Sequence, residues 1–198
     1  MFPFGEREKG LNILRTRDLP GSPASLPKLT LILGGARSGK SRLAERLAVT
    51  SGLPRAYIAT AEIWDAEMAS RVALHKTGRG AGWATFEAPR DIAAALAQAQ
   101  GVVLIDCATL WLTNVMLGGG DIKAETEALI AAISAFSGPV IVVSNEVGWG
   151  IVPDNRLARD FRDEQGRLNQ RLAEVADLVA GVMAGLPMVL KGQMPVLE

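Results

Sequence analysis

One cysteine, Cys107, and one histidine, His75, are all that this 198-residue chain has of either residue. A lone thiol excludes an internal disulfide framework and a cysteine-based metal cluster, and a reducing, cytoplasmic setting fits. Aromatic residues make up only 5% of the chain against 48% apolar, so the core is mostly aliphatic and alanine. Charge of one sign is equally lacking. Lys+Arg and Asp+Glu are both 21, so no global field favours nucleic acid or an anionic membrane. No apolar run reaches the roughly 20 residues of a membrane span. Glu6, Arg7, Glu8 and Lys9 stand where the apolar core of a signal peptide would begin. The length suits one domain with core enough to fold unaided. Residues 1–27 carry Pro20, Gly21, Pro23 and Pro27 without steady periodicity. They are expected as a loosely ordered extension ahead of a domain over 28–198.

What is present is organised around the stretch from Leu29 to Ser41. Five strand-forming residues run into Gly34-Gly35-Ala36-Arg37-Ser38-Gly39-Lys40-Ser41, and a helix-forming segment follows at once. The pattern G-x-x-x-x-G-K-S between strand and helix is the phosphate-cradling loop of nucleotide-binding proteins. Gly34 and Gly39 let the backbone turn its amides toward phosphate oxygens without a clashing Cβ. A helix starting near Lys40 adds its positive end. Lys40 is suited to reach the β and γ phosphates and the Ser41 hydroxyl to ligate Mg²⁺. A nucleoside triphosphate is the ligand these residues imply.

Leu43, Ala44, Leu47 and Ala48 give the next helix an apolar face, and Ser51 to Pro54 stops it. Arg55 to Ala59 reads as a strand. Residues 63–76 have helical spacing, with Ile63, Trp64, Met68 and Val72 on one side, before Gly78, Gly80 and Gly82 break the pattern. Trp83 to Glu87 reads as a short strand and Asp91 to Gln98 as an alanine-rich helix. Val102 to Ile105 is a buried-type strand ending in Asp106. Helices are expected over 109–117 and 122–136, parted by Gly118-Gly119-Gly120, then a strand over Val140 to Val143. A further helix is expected from Pro153, a good first helical residue. Leu178 to Met183 and Met188 to Leu190 are the last expected strands. Strands alternating with helices predict an α/β fold, a mainly parallel sheet with helices on both faces, of the P-loop NTPase (RecA-like) class. Right-handed crossovers gather the strand ends at one edge. The glycine loop, Thr60, Asp106 and Asn145-Glu146 should therefore converge there in one pocket.

Asp106 follows four apolar strand residues, as does the acidic residue that helps hold Mg²⁺ in loop-containing nucleotidases; a strand-end turn former or helix cap is the plainer reading. Glu87 also follows a candidate strand. His75 alone in the chain is as ordinary as a surface or structural histidine. Its neighbours Arg71, Lys76 and Arg79 disfavour imidazolium, keep the ring nucleophilic and attract polyphosphate. The segment Asn145 to Pro153 leads into a helix with Arg156, Arg159, Arg162, Arg167 and Arg171. Arg156 with Asp160 and Arg159 with Asp163 form i,i+4 pairs, so these are either solvated helix charges or phosphate contacts. Cys107, beside a strand end, suits packing.

Several segments together resemble one family: Gly34 to Arg42, Tyr57 to Ala61, Arg71 to Arg79, Asp106 to Asn114, and Asn145 to Pro153 with Phe161 to Asp163 and Gly166 to Gln170. The chain is similar, over roughly 29–191, to the bifunctional adenosylcobinamide kinases/adenosylcobinamide-phosphate guanylyltransferases of cobalamin biosynthesis. The resemblance implies phosphorylation of the corrinoid adenosylcobinamide by ATP or GTP, then transfer of GMP from GTP through a guanylylated histidine. That histidine falls on His75. The family's nucleotide contacts fall on Gly34 to Ser41, on Thr60, Ala61 and Glu62, on Lys76, Thr77, Gly78 and Arg79, and on Glu87 and Asp106. Asp106 stands where family members often carry glutamate. Ser41 and Asp106 are the implied Mg²⁺ ligands, and a homotrimer is the implied assembly. The alternatives are a P-loop small-molecule kinase with no covalent step and a non-enzymatic nucleotide switch.

Overall fold

Two apolar runs sit at the centre of the molecule: Val102 to Ile105 and Val140 to Val143, none more than 1% exposed. Strands covered on both faces read this way. In the computed structural model, which describes residues 26–62 and 79–197, the strands are β1 (Leu29–Gly34), β2 (Arg55–Ala59), β3 (Trp83–Glu87), β4 (Val102–Asp106), β5 (Val140–Asn145), β6 (Leu178–Met183) and β7 (Leu186–Lys191). The helices are α1 (Lys40–Thr50), α2 (Ile92–Gln98), α3 (Ala108–Leu117), α4 (Ile122–Ala135) and α5 (Arg156–Val175). The strands form one sheet in the order β3-β2-β4-β5-β1-β6-β7. All neighbours run parallel except β7, which returns antiparallel beside β6.

Alternation along each strand divides the core into two layers. Ile32, Tyr57, Leu104, Ile141 and Val143 meet Leu43, Ala44, Leu47 and Ala48 of α1 on one face. Leu31, Ile58, Val103, Ile105 and Val142 meet Ile92, Trp111, Leu112, Ile133, Leu168 and Leu172 of the other helices on the opposite face. Parallel register carries the carboxyl ends to one edge: Gly34 lies opposite Asn145, Asp106 opposite Ala59, and Ala59 opposite Glu87. The convergence expected from strand order is therefore present.

Side-chain caps set the helix starts. Asp91 accepts from the Ala94 amide and Asp121 from those of Lys123 and Ala124, so α2 opens one residue later than expected. The helix expected from Pro153 starts at Arg156, because the Asn155 side chain accepts the Ala158 amide at 2.8 Å. Leu157, counted by spacing on its apolar face, is 60% exposed. The buried stripe of α5 is Gln165, Leu168, Asn169 and Leu172. The final strand begins at Leu186 rather than Met188. The helix expected over 63–76 and residues 1–25 of the expected extension lie outside the described residues, while Leu26 packs against the core. Among the described residues no helix is long and apolar enough to cross a membrane.

Candidate functional site

The glycine loop joins β1 to α1 at the carboxyl edge of the sheet. Gly39 has φ 98° and Arg37 φ 56°, both left-handed. A Cβ on Gly34 would stand 2.5 Å from Ser38 Oγ and 2.6 Å from the Val182 carbonyl, so only glycine fits. Gly35, Ala36 and Arg37 are exposed at the loop tip. The turn between β6 and β7 backs the loop, since the Gly185 amide donates to the Ser38 carbonyl at 2.9 Å. Helix α1 has no side-chain cap and no acid in its first turn, which leaves its amino end suited to an anion. Lys40 Nζ donates to the Gly35 carbonyl at 3.1 Å, folded over the loop. Burial pushes its ammonium below the ordinary value, opposed by the nearby Cys107 and Asp106. Ser41 is half-buried in the first turn of α1.

The acid side is built by side chains. Asp106 does not cap α3; the Tyr57 hydroxyl donates to its Oδ2 at 2.9 Å instead. Arg79 lies over the Tyr57 ring, 3.2 Å from its centroid, with Nε and Nη1 buried and without a partner among the described residues. Thr60 is fully buried: its hydroxyl donates to the Cys107 carbonyl at 2.8 Å and accepts the Cys107 amide at 2.7 Å. Asn114 Nδ2 donates to the Thr60 carbonyl at 2.8 Å. Thr60 thus latches the end of β2 to the turn after β4, and its hydroxyl is fully occupied. Burial, then the Asp106 charge, pushes the Cys107 thiol up to about 11; it packs, as its place beside a strand suggests.

Beyond β3 an open cleft of about 680 Å³ is lined by Glu62, Glu87, Arg90 and Gln98 among others. Ala61 and Glu62, just after β2, are half-buried. The loop after β5 joins the site through the Glu146 amide, which donates to the Gly34 carbonyl at 3.1 Å. His75, Lys76, Thr77 and Gly78 lie outside the described residues.

The helix arginines have partners. Arg156 pairs with Asp160 at 3.4 Å. Arg159 does not meet Asp163 as its spacing suggests; it turns back to the Pro153 and Asp154 carbonyls at 3.0 and 2.7 Å, which precede the helix start. Arg162 meets Asp163, Arg167 meets Glu164, and Arg171 bridges to Glu127 and Glu174. Beneath the loop after β5, Ser144, Gln165 and Asn169 form a buried polar cluster, and Asn169 donates to the Asn145 carbonyl at 3.0 Å.

Among the described residues no three His, Cys, Asp or Glu side chains group to hold a metal by themselves. Ser41 and Asp106 are hard oxygen donors that fit Mg²⁺ when phosphate oxygens complete the shell. Sequence reasoning passed over Tyr57 and Asn114 as site builders. Both stand in segments that carry the family resemblance, and Tyr57 is the single tyrosine in the chain.

A solved ATPase domain overlays with a TM-score of 0.51 at 12% identity, covering 87% of this chain and 80% of that one. At that identity the likeness speaks for the fold alone, which is the P-loop NTPase fold of the RecA-like class. Sequence relatives go further. The bifunctional adenosylcobalamin biosynthesis protein CobP of Pseudomonas aeruginosa is 51% identical, over 82% of this chain and 97% of its own length. The CobU proteins of Salmonella typhimurium and Escherichia coli are 45% and 42% identical, each over 82% of this chain and 99% of their own length. A family model described as cobinamide kinase / cobinamide phosphate guanyltransferase matches residues 30–190. The motifs quoted from the sequence are spread along that same span, and the chain belongs to the cobinamide kinase/cobinamide phosphate guanyltransferase family of enzymes.

Proposed function

We propose that one sheet edge carries both reactions of the family, and that His75 is the residue guanylylated in the second. The observation that carries this is the pairing of the glycine loop with the Asp106 carboxylate at converging strand ends. In the first reaction the loop amides and Lys40 hold the β and γ phosphates of ATP or GTP while the terminal hydroxyl of the aminopropanol arm of adenosylcobinamide takes the γ-phosphoryl group. Positioning and charge supply most of the rate in such transfers. Where Mg²⁺ is bound, Ser41 and Asp106 are the residues to hold it, and it would draw charge from the phosphates.

In the second reaction a ring nitrogen of His75 bonds to the α phosphorus of GTP as the bond to the bridging oxygen breaks. Pyrophosphate leaves, and the ring loses its other N–H proton to solvent. A phosphate oxygen of the phosphorylated corrinoid then attacks the same phosphorus. The N–P bond breaks, the imidazole regains a proton, and adenosylcobinamide-GDP forms. A phosphoramidate is energy-rich enough to pass GMP on without another triphosphate. Lys76 and Arg79 are suited to stabilise charge at the α phosphorus. Glu62 and Glu87, on the cleft past β3, are suited to contact the guanosine part.

The same reading includes a homotrimer, for which the exposed apolar residues Leu186 and Leu190 of edge strand β7 provide surface, and a cytoplasmic setting, in keeping with Cys107 as a buried free thiol. The test is product analysis by mass spectrometry after incubation with adenosylcobinamide and GTP. The reading expects the phosphorylated corrinoid first, then the GDP adduct with one pyrophosphate released for each. Phosphorylation alone would leave a kinase without the covalent step.

A further inference from the structure

The one tyrosine of the chain holds two charged groups of the site at once. Tyr57 lies on β2, 5% exposed, with its ring in the layer that faces α1. Its hydroxyl donates to Asp106 Oδ2 at 2.9 Å, and the Arg79 guanidinium lies against its face at 3.2 Å. Trp83 on β3 braces the ring edge-on, with centroids 6.2 Å apart, and Arg55 covers Trp83 in turn at 5.5 Å. A phenol has few torsions, and here neighbouring strands fix its surroundings. Arg79 offers Nε and Nη1, which have no partner among the described residues, and it stands four residues after His75 in the sequence.

We propose that Tyr57 is a positioning residue that makes Arg79 and Asp106 one preset unit, its ring aligning the cation for nucleotide phosphate and its hydroxyl aligning the acid for Mg²⁺. The inference rests on the reading that this edge takes a nucleoside triphosphate. Ring and hydroxyl serve different halves of the unit, so they separate by substitution. Tyr57→Phe keeps the stack and loses the hydrogen bond. Tyr57→Leu loses both. Arg79→Lys keeps charge but not the planar stack.

The test is binding of a fluorescent GTP analogue to the full chain, in EDTA and across a Mg²⁺ titration, with thermal unfolding recorded alongside. Tyr57→Phe is expected to bind as wild type in EDTA and to need roughly tenfold more Mg²⁺ for half-maximal tightening, the scale of one hydrogen bond to a charged group. Arg79→Lys is expected to weaken binding in EDTA by about fivefold to tenfold, with an unchanged Mg²⁺ midpoint. Tyr57→Leu should show both losses. A Tyr57→Phe protein with the wild-type Mg²⁺ midpoint overturns the proposal. So do equal losses with and without Mg²⁺, which a tyrosine serving only to pack the core would give. Wild-type protein that binds no analogue in either condition overturns the nucleotide site itself and this inference with it.

Discussion

The two sides of the candidate site are built from different materials. On the β1 side the phosphate loop is made of backbone: left-handed Gly39, a crowded Gly34 and uncapped amides at the start of α1. On the β2–β4 side the acid is held by side chains, with Tyr57 on Asp106 and Thr60 and Asn114 tying down the turn at Cys107. A backbone cradle needs only short, contiguous sequence to specify it. A side-chain latch needs partners far apart in the chain, and its removal threatens the fold as well as the chemistry.

That contrast can be broken by substitutions that separate activity from stability. The largest effect is expected for Lys40→Ala, with kcat/KM for GTP reduced by about 10²–10³-fold. Among the described residues its Nζ donates to the Gly35 carbonyl alone, so thermal unfolding should stay close to wild type. Asp106→Asn is expected to lower turnover by roughly tenfold to a hundredfold and to raise the Mg²⁺ requirement, since a neutral amide is a poorer hard-cation ligand. Steady-state kinetics across Mg²⁺ concentrations would check it. Thr60→Val should act the other way, on stability first. It leaves the buried Cys107 amide without its partner and takes one of two donors from the Cys107 carbonyl, which keeps the Trp111 amide; the cost is about 1–3 kcal/mol, which calorimetry should read as a clearly lowered Tm. A Thr60→Val protein of wild-type stability would erase the distinction between the two sides.

The smallest effect lies far from the site. Glu127 on α4 accepts from Arg171 on α5 at 2.7 Å, and that hydrogen bond holds its carboxyl below the ordinary value. A group whose folded value is depressed stabilises above its unfolded pKa, about 4.3, and loses that contribution as pH falls through the folded value. The pair is exposed, so Glu127→Gln should change Tm only slightly at neutral pH, with the difference from wild type vanishing in acid. A urea titration at neutral and acid pH would show it.

Legibility in the sequence follows the same division. The glycine loop, the strand ends and the sheet were readable because each depends on a short local pattern. The start of α5 was not, because Pro153 suits a first helical turn but Asn155 supplies a better cap, bonding Ala158. The expected Arg159–Asp163 pair gave way to the Pro153 and Asp154 carbonyls, whose positions exist only once the loop has folded. Thr60 was readable as a residue of the site edge. That its hydroxyl is taken up by Cys107, 47 residues away, was not. Tyr57 joins Asp106 across 49 residues, and no spacing announces a bond of that kind.

The central claim is that GMP passes through His75, and covalent labelling tests it most directly. Full-length protein is incubated with GTP labelled at the α phosphate and Mg²⁺, denatured, and followed through acid and alkali. The account expects label on the wild-type chain that survives alkali and is released by acid, as a phosphoramidate is, and none on His75→Ala. Label that persists on His75→Ala, or a wild-type chain that takes none while still phosphorylating adenosylcobinamide, would contradict it.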